Sequence, residues 1–141
     1  MKKNTQELLE ILNSTDKIET YLSEFPEVIP HKPLSEALEK LLSEKNLTKS
    51  QCIQDSGLQR NYGYQIFSGE RTPSRDKLLA LCLAMHLTLN EVHTLFCATG
   101  FPDLYPKNQR DSVIIFAFNK SLSPLEANEL LFDLKMELLD I

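Results

Sequence analysis

An all-α protein is what this sequence predicts, and three observations carry the prediction. Apolar residues recur at helical rather than alternating spacing along most of the 141 residues. Helix boundaries are written in capping and turn residues, from Thr48 and Gly57 to Ser123-Pro124 near the end. The one run with strand composition, Val113-Ile114-Ile115-Phe116, finds no partner strand elsewhere, so residues 108–119 are assigned to helix as well.

Taken in order, residues 4–13 carry Leu8, Leu9, Ile11 and Leu12, and residues 16–25 carry Ile18, Tyr21, Leu22 and Phe25 on one side. Pro26, Pro30 and Pro33 then interrupt the pattern. Prolines remove backbone donors and disfavour helix at the preceding residue, so residues 1–33 read as a helical N-terminal arm ending in a Pro-rich linker. The stretch 47–73, LTKSQCIQDSGLQRNYGYQIFSGERTP, follows. Gly57 is placed to take the left-handed conformation that ends one helix and redirects the chain. The next helix spans about 59–68, with Tyr62, Ile66 and Phe67 inward and Gln59, Arg60, Asn61, Tyr64 and Gln65 free to point outward, and Gly69 stops it. Two helices joined by a short glycine-containing turn can lay the second one in a DNA major groove.

Residues 101–106, with two prolines and two aromatics, read as a packed extended turn. After the helix at 108–119, Ser123 reads as N-cap, Pro124 as the first helical residue and Glu126 as a first-turn acid, opening a helix to about 139. Ala127, Leu130, Leu131, Leu134 and Leu138 form its apolar side, and Glu126, Glu129, Asp133 and Glu137 an acidic strip. Asn46-Leu47-Thr48, His86-Leu87-Thr88 and Ser121-Leu122-Ser123 rhyme, each between two helices. The sequences between them do not match at fixed offsets, so the rhyme reads as recurrent capping chemistry rather than a repeat.

Leu47-Thr48, Gly57, Ile66-Phe67-Ser68-Gly69, Pro73-Ser74 and the leucine-rich 78–83 together carry a resemblance. From Ser35 to about Thr99 the chain resembles the XRE family of Cro-like and phage-repressor-like helix-turn-helix proteins, which pack five helices around one core. That resemblance implies a lambda-repressor-like DNA-binding domain at 34–100, followed by a two-helix C-terminal extension at 101–141. It implies a sequence-specific transcriptional regulator that binds double-stranded DNA. Gln59, Arg60, Asn61, Tyr64 and Gln65 would read bases, since Arg can grip guanine and Asn or Gln adenine through paired hydrogen bonds. Lys49, Ser68, Arg71 and Arg75 would hold phosphates.

Three positions depart from the family pattern. Gly63 stands where the family usually has an inward-facing branched residue, at a cost of about 1 kcal/mol of helix propensity relative to Ala. Ile53 on the preceding helix replaces the usual Ala, so the pair reads as a swap of volume across the interface. Leu42 and Phe67 are apolar where many relatives carry an Arg and a Glu, an exchange compatible with a retained fold. Glu70 puts an acid beside the expected phosphate path.

The formal net charge is −5 at pH 7. Residues 45–77 hold six basic side chains against three acidic ones, while the stretches on either side are acidic, and a basic island of this kind suits modest, salt-sensitive DNA contact. No apolar run approaches the ~20 residues of a membrane span. Met1-Lys2-Lys3 leads into polar residues rather than an apolar signal region, so a cytoplasmic protein is expected. Cys52, Cys82 and Cys97 read as reduced core residues. Cys82-x3-His86 and His93-x3-Cys97 have zinc-like spacing, but Cys82 lies in the core stripe and the resemblance supplies no metal there, so no cofactor is expected. Nothing marks an enzyme: His31 sits among prolines, and there is no phosphate loop or catalytic constellation.

The arm and the last two helices hold more apolar surface than a five-helix domain needs, which points either to a homodimer reading two half-sites or to an arm and tail that wrap their own domain. The alternative, favoured by Gly63 and Glu70, is a helical protein-protein interaction adaptor on a repressor-like scaffold.

Overall fold

The computed structural model describes residues 5–14 and 31–141, and among them all regular structure is helical. None of the described helices is long and apolar enough to cross a membrane. The chain divides into two compact units, Met1–His31 and Lys32–Ile141. In the first, helix α1 covers Thr5–Asn13. The expected helix at 16–25, Pro26 and Pro30 lie outside the described residues.

The second unit contains α2 (Leu34–Lys45), α3 (Lys49–Ser56), α4 (Arg60–Ser68), α5 (Arg75–Ala84), α6 (Leu89–Thr99), α7 (Gln109–Asn119) and α8 (Pro124–Asp133). At the centre is α5, whose residues 78 to 84 are all buried, as a helix apolar on every side must be. Packed against it are α3 and α8, while α4 contacts α2 and α3, and α6 contacts α2 and α7. One apolar cluster joins Leu38 on α2 to Phe96 on α6, Ile114 and Phe118 on α7, and Leu131 on α8. Residues 101–141 therefore share the core of residues 34–100 rather than forming a body of their own. The Val113-Phe116 run lies within α7.

The sequence rhyme has a structural counterpart. Asn46, His86 and Ser121 each take a positive φ, between 53° and 55°. The following leucine then returns its N–H to a carbonyl five residues back, Leu47 to Leu42, Leu87 to Cys82 and Leu122 to Ala117. This is the Schellman ending, and the next residue, Thr48, Thr88 or Ser123, caps the next helix with its side chain. Each three-residue junction thus stops a helix, plants a leucine and starts another.

A fourth ending corrects an expectation. Lys135 also turns left-handed, at φ 59°, and Met136 N–H bonds the Leu131 carbonyl, so α8 stops at Asp133 instead of continuing to about 139. Leu134 and Leu138, expected on its apolar side, are substantially exposed, and Leu139 is the buried residue of the tail. Asn128 holds that tail by both amide groups, accepting the Leu139 N–H at 2.7 Å and donating to its carbonyl at 3.4 Å.

The volume swap is present. A Cβ placed on Gly63 would stand 2.6 Å from Ile53 Cγ2, so the isoleucine fills the space that a branched residue on α4 would otherwise occupy. Leu42 and Phe67 are both buried. Of the cysteines, Cys52 and Cys82 are core residues and burial pushes both thiols up, with Asp55 adding to the effect at Cys52. The assignment of Cys97 to the core is corrected: on α6 the stripe Val92-Leu95-Phe96 faces inward, and Cys97 lies with His93 on the solvent side.

Candidate functional site

Between α3 and α4 the chain makes a turn of three residues. Gly57 takes φ 80° and donates to the Gln54 carbonyl. The buried Ser56 hydroxyl donates to the Ile53 carbonyl at 2.6 Å and accepts the Leu58 N–H at 3.1 Å, so Leu58 is drawn into the core. Gln59 then caps α4, and Gly69, at φ 87°, ends it. With Gly63, Ile66 and Phe67 turned inward, the opening of α4 faces solvent.

On that surface Arg60 and Asn61 are exposed. Arg60 lies over the half-buried Tyr64 ring at 5.8 Å and has no carboxylate partner among the described residues. Asn61 keeps both groups of its amide free of other described residues. Two expected base readers are committed elsewhere. Gln59 accepts the Tyr62 N–H through its side-chain oxygen at 2.8 Å, which turns that oxygen back onto its own helix. Gln65 accepts from Arg71 Nε at 2.7 Å, and Arg71 also stacks over Tyr62 at 5.5 Å. These groups brace each other along the exit of α4.

The expected phosphate contacts divide. Ser68 is exposed but donates to the Gln65 carbonyl. Lys49 is paired with Glu39 of α2. The guanidinium of Arg75 is engaged within the protein. Nη1 and Nη2 grip Asp111 at 3.0 and 2.8 Å, Nε donates to the Pro102 carbonyl and Nη2 to the Asp103 carbonyl. It fastens the start of α5 to the 101–106 turn and to α7. Four of the five guanidinium N–H groups are thus used inside the protein.

The same holds for most of the basic island. Lys45 pairs with Glu91 and Lys77 with Asp140, leaving Arg60 and Arg71 as the island's cations without a carboxylate among the described residues. Beside the Arg75 pair, Arg110 grips Asp76 at 3.1 and 2.9 Å and donates to the Glu137 and Leu138 carbonyls. Burial pushes the Asp111 and Asp76 carboxyls up, but the guanidinium bonds and an N–H donor to each outweigh it and hold both below the ordinary value.

Sequence reasoning missed Asp111, Asp76 and Arg110, which lie 34 to 36 residues from their partners. The tail comes near the turn without covering α4: Ile141 Cδ1 would be 3.1 Å from a Cβ on Gly57, and Asp140 reaches Lys77.

The four residues with zinc-like spacing do not come together, because Cys82 is fully buried while His86 is exposed. His93 and Cys97 do lie together, with Asp103 beside them. Comparison with protein-family models, with curated proteins and with solved structures returned no match.

Proposed function

We propose that the chain is a sequence-specific DNA-binding transcriptional regulator with a lambda-repressor-like helix-turn-helix, α3 positioning and α4 lying in the major groove. The observation that carries this reading is the uncovered first turn of α4, where Arg60 and Asn61 present guanidinium and amide groups to solvent behind the Gly57 turn. Such groups at the start of a recognition helix discriminate bases by about 1–3 kcal/mol per good pair. Arg71 supplies a phosphate contact, and Gln59, Tyr64 and Gln65 shape the helix and the groove wall rather than read bases. Exposed Leu125 and Phe132 on α8, 69% and 71% accessible, supply an apolar surface for a homodimer that spans two half-sites.

A second reading, an adaptor on the same scaffold, is favoured by one observation: four of the six cations between residues 45 and 77 are already paired with acids. Selection from random double-stranded DNA separates the two. Enrichment of a short motif, bound less tightly by Arg60→Ala, supports the regulator. A selection without enrichment would leave the adaptor reading in possession.

A further inference from the structure

The solvent face of α6 carries a group of side chains that the DNA reading leaves unused. His93 and Cys97 stand one turn apart on one face, the spacing at which two side chains can meet a common ligand. Gly100, at φ 84°, ends the helix, and Phe101 N–H returns to the Phe96 carbonyl. The chain is thereby reversed, and Asp103 comes back beside the helix.

Three restraints hold Asp103 there. The Leu104 N–H donates to Oδ1 at 2.8 Å, which leaves Oδ2 to the His93 ring, where it bonds Nδ1. From the other side Arg75 binds the carbonyls of Pro102 and Asp103. Cys97 Sγ lies 3.7 Å from His93 Nδ1 and 3.9 Å from Nε2, and the three potential donor atoms all fall within 4.8 Å of one another.

We infer that His93, Cys97 and Asp103 form a binding site for a divalent transition-metal ion of the zinc class. Zinc takes thiolate at about 2.3 Å and imidazole or carboxylate at about 2.0–2.2 Å, so two tetrahedral ligands stand roughly 3.5 Å apart, near the separation of the thiol and imidazole here. The mixed sulfur, nitrogen and oxygen set suits a borderline ion and offers too few oxygens for calcium or magnesium. On binding, the Cys97 thiol gives its proton to water and the thiolate bonds the metal. His93 exchanges its bond to Asp103 for the metal, and Asp103 supplies the third ligand. Water completes the tetrahedron, so the ion remains accessible.

The site is independent of the DNA reading, and its test needs no nucleic acid. The reduced, metal-free full chain is titrated with Co(II), and Zn(II) is then measured by competition with a chromophoric chelator. One equivalent of cobalt producing a thiolate-to-cobalt charge-transfer band is the expected result. Cys97→Ser should abolish that band, and His93→Gln or Asp103→Asn should weaken zinc by about tenfold or more, as loss of a metal-site group does. Cys52→Ala, with a buried thiol elsewhere, should leave both readings unchanged. His93 and Cys97 are exposed, so circular dichroism of their variants should match the parent. Absence of the band from the parent, or its persistence in Cys97→Ser, overturns the proposal.

Discussion

Arg60 and Arg75 lie fifteen residues apart in one basic island and have opposite fates. At the start of α4, Arg60 faces solvent over Tyr64 with no acid beside it. At the start of α5, Arg75 holds Asp111 and two backbone carbonyls in a seam that ties α5 to α7. The difference lies in what the rest of the chain brings to each. A positive count along the sequence measures charge, but a cation with an acid beside it presents a weaker net field to a polyanion than one with none nearby.

Five measurements would break or sharpen the contrast. Removing the seam arginine with Arg75→Ala should lower unfolding free energy by about 3–4 kcal/mol, since Asp111 stays buried without its partner. Chemical denaturation with no change in midpoint would contradict that. Behind the open face, Ile53→Ala should cost about 2–4 kcal/mol by leaving a cavity. Adding Gly63→Ala to it should recover part of the loss, although Gly63→Ala alone is destabilising because its methyl meets Ile53. Additive losses in a thermal melting cycle would reject the volume swap.

The opposite pattern is expected of Arg60→Ala. On a duplex obtained by selection, affinity measured by fluorescence anisotropy should fall about 5- to 150-fold, equivalent to the loss of one good base contact. Its melting curve should remain within about 0.5 kcal/mol of the parent, as for other surface changes. A loss of stability comparable to that of Arg75→Ala would erase the distinction between the two arginines.

Acid titration addresses the seam differently. Asp76 and Asp111 are held below the ordinary aspartate value of 3.8 in the folded protein. Folding therefore gains from their ionised forms above 3.8, and the gain is lost as pH falls from there through the lower folded values. The urea midpoint should decline steeply below about pH 4 and much less steeply in Arg75→Ala. Equal slopes would show that Asp111 contributes nothing. The smallest effect is a gain: Ser121→Gly, at φ 53°, should stabilise by about 0.5–1 kcal/mol, because glycine takes this conformation without the clash of a side chain.

Local chemistry was legible in the sequence. Gly57 and Gly69 mark their turns, Ser123-Pro124-Glu126 opens its helix, and three junctions share one residue pattern, because each rests on contacts within five residues. What was not legible depends on distance or on an uncharacteristic residue. Nothing near Arg75 announces Asp111, and nothing about a lysine announces that Lys135 will turn left-handed and end α8. Cys97 was legible but misread, since four-residue spacing puts it with His93 and away from Val92 and Phe96. At the candidate site, the outward-facing residues were identifiable from the helical period. That Gln59 would cap its own helix and Gln65 would bind Arg71 depended on rotamers that no pattern of residue types specifies.

The clasp between Asn128 and Leu139 bears on how the tail behaves over time. Beyond α8 the backbone has no regular structure, yet the Leu139 amide is hydrogen-bonded and the residue is 3% accessible. Its deuterium uptake should follow the slow pace of the helical core instead of the rapid pace of a loose strand. Proteases that nick irregular segments should accordingly find little purchase there until the clasp opens.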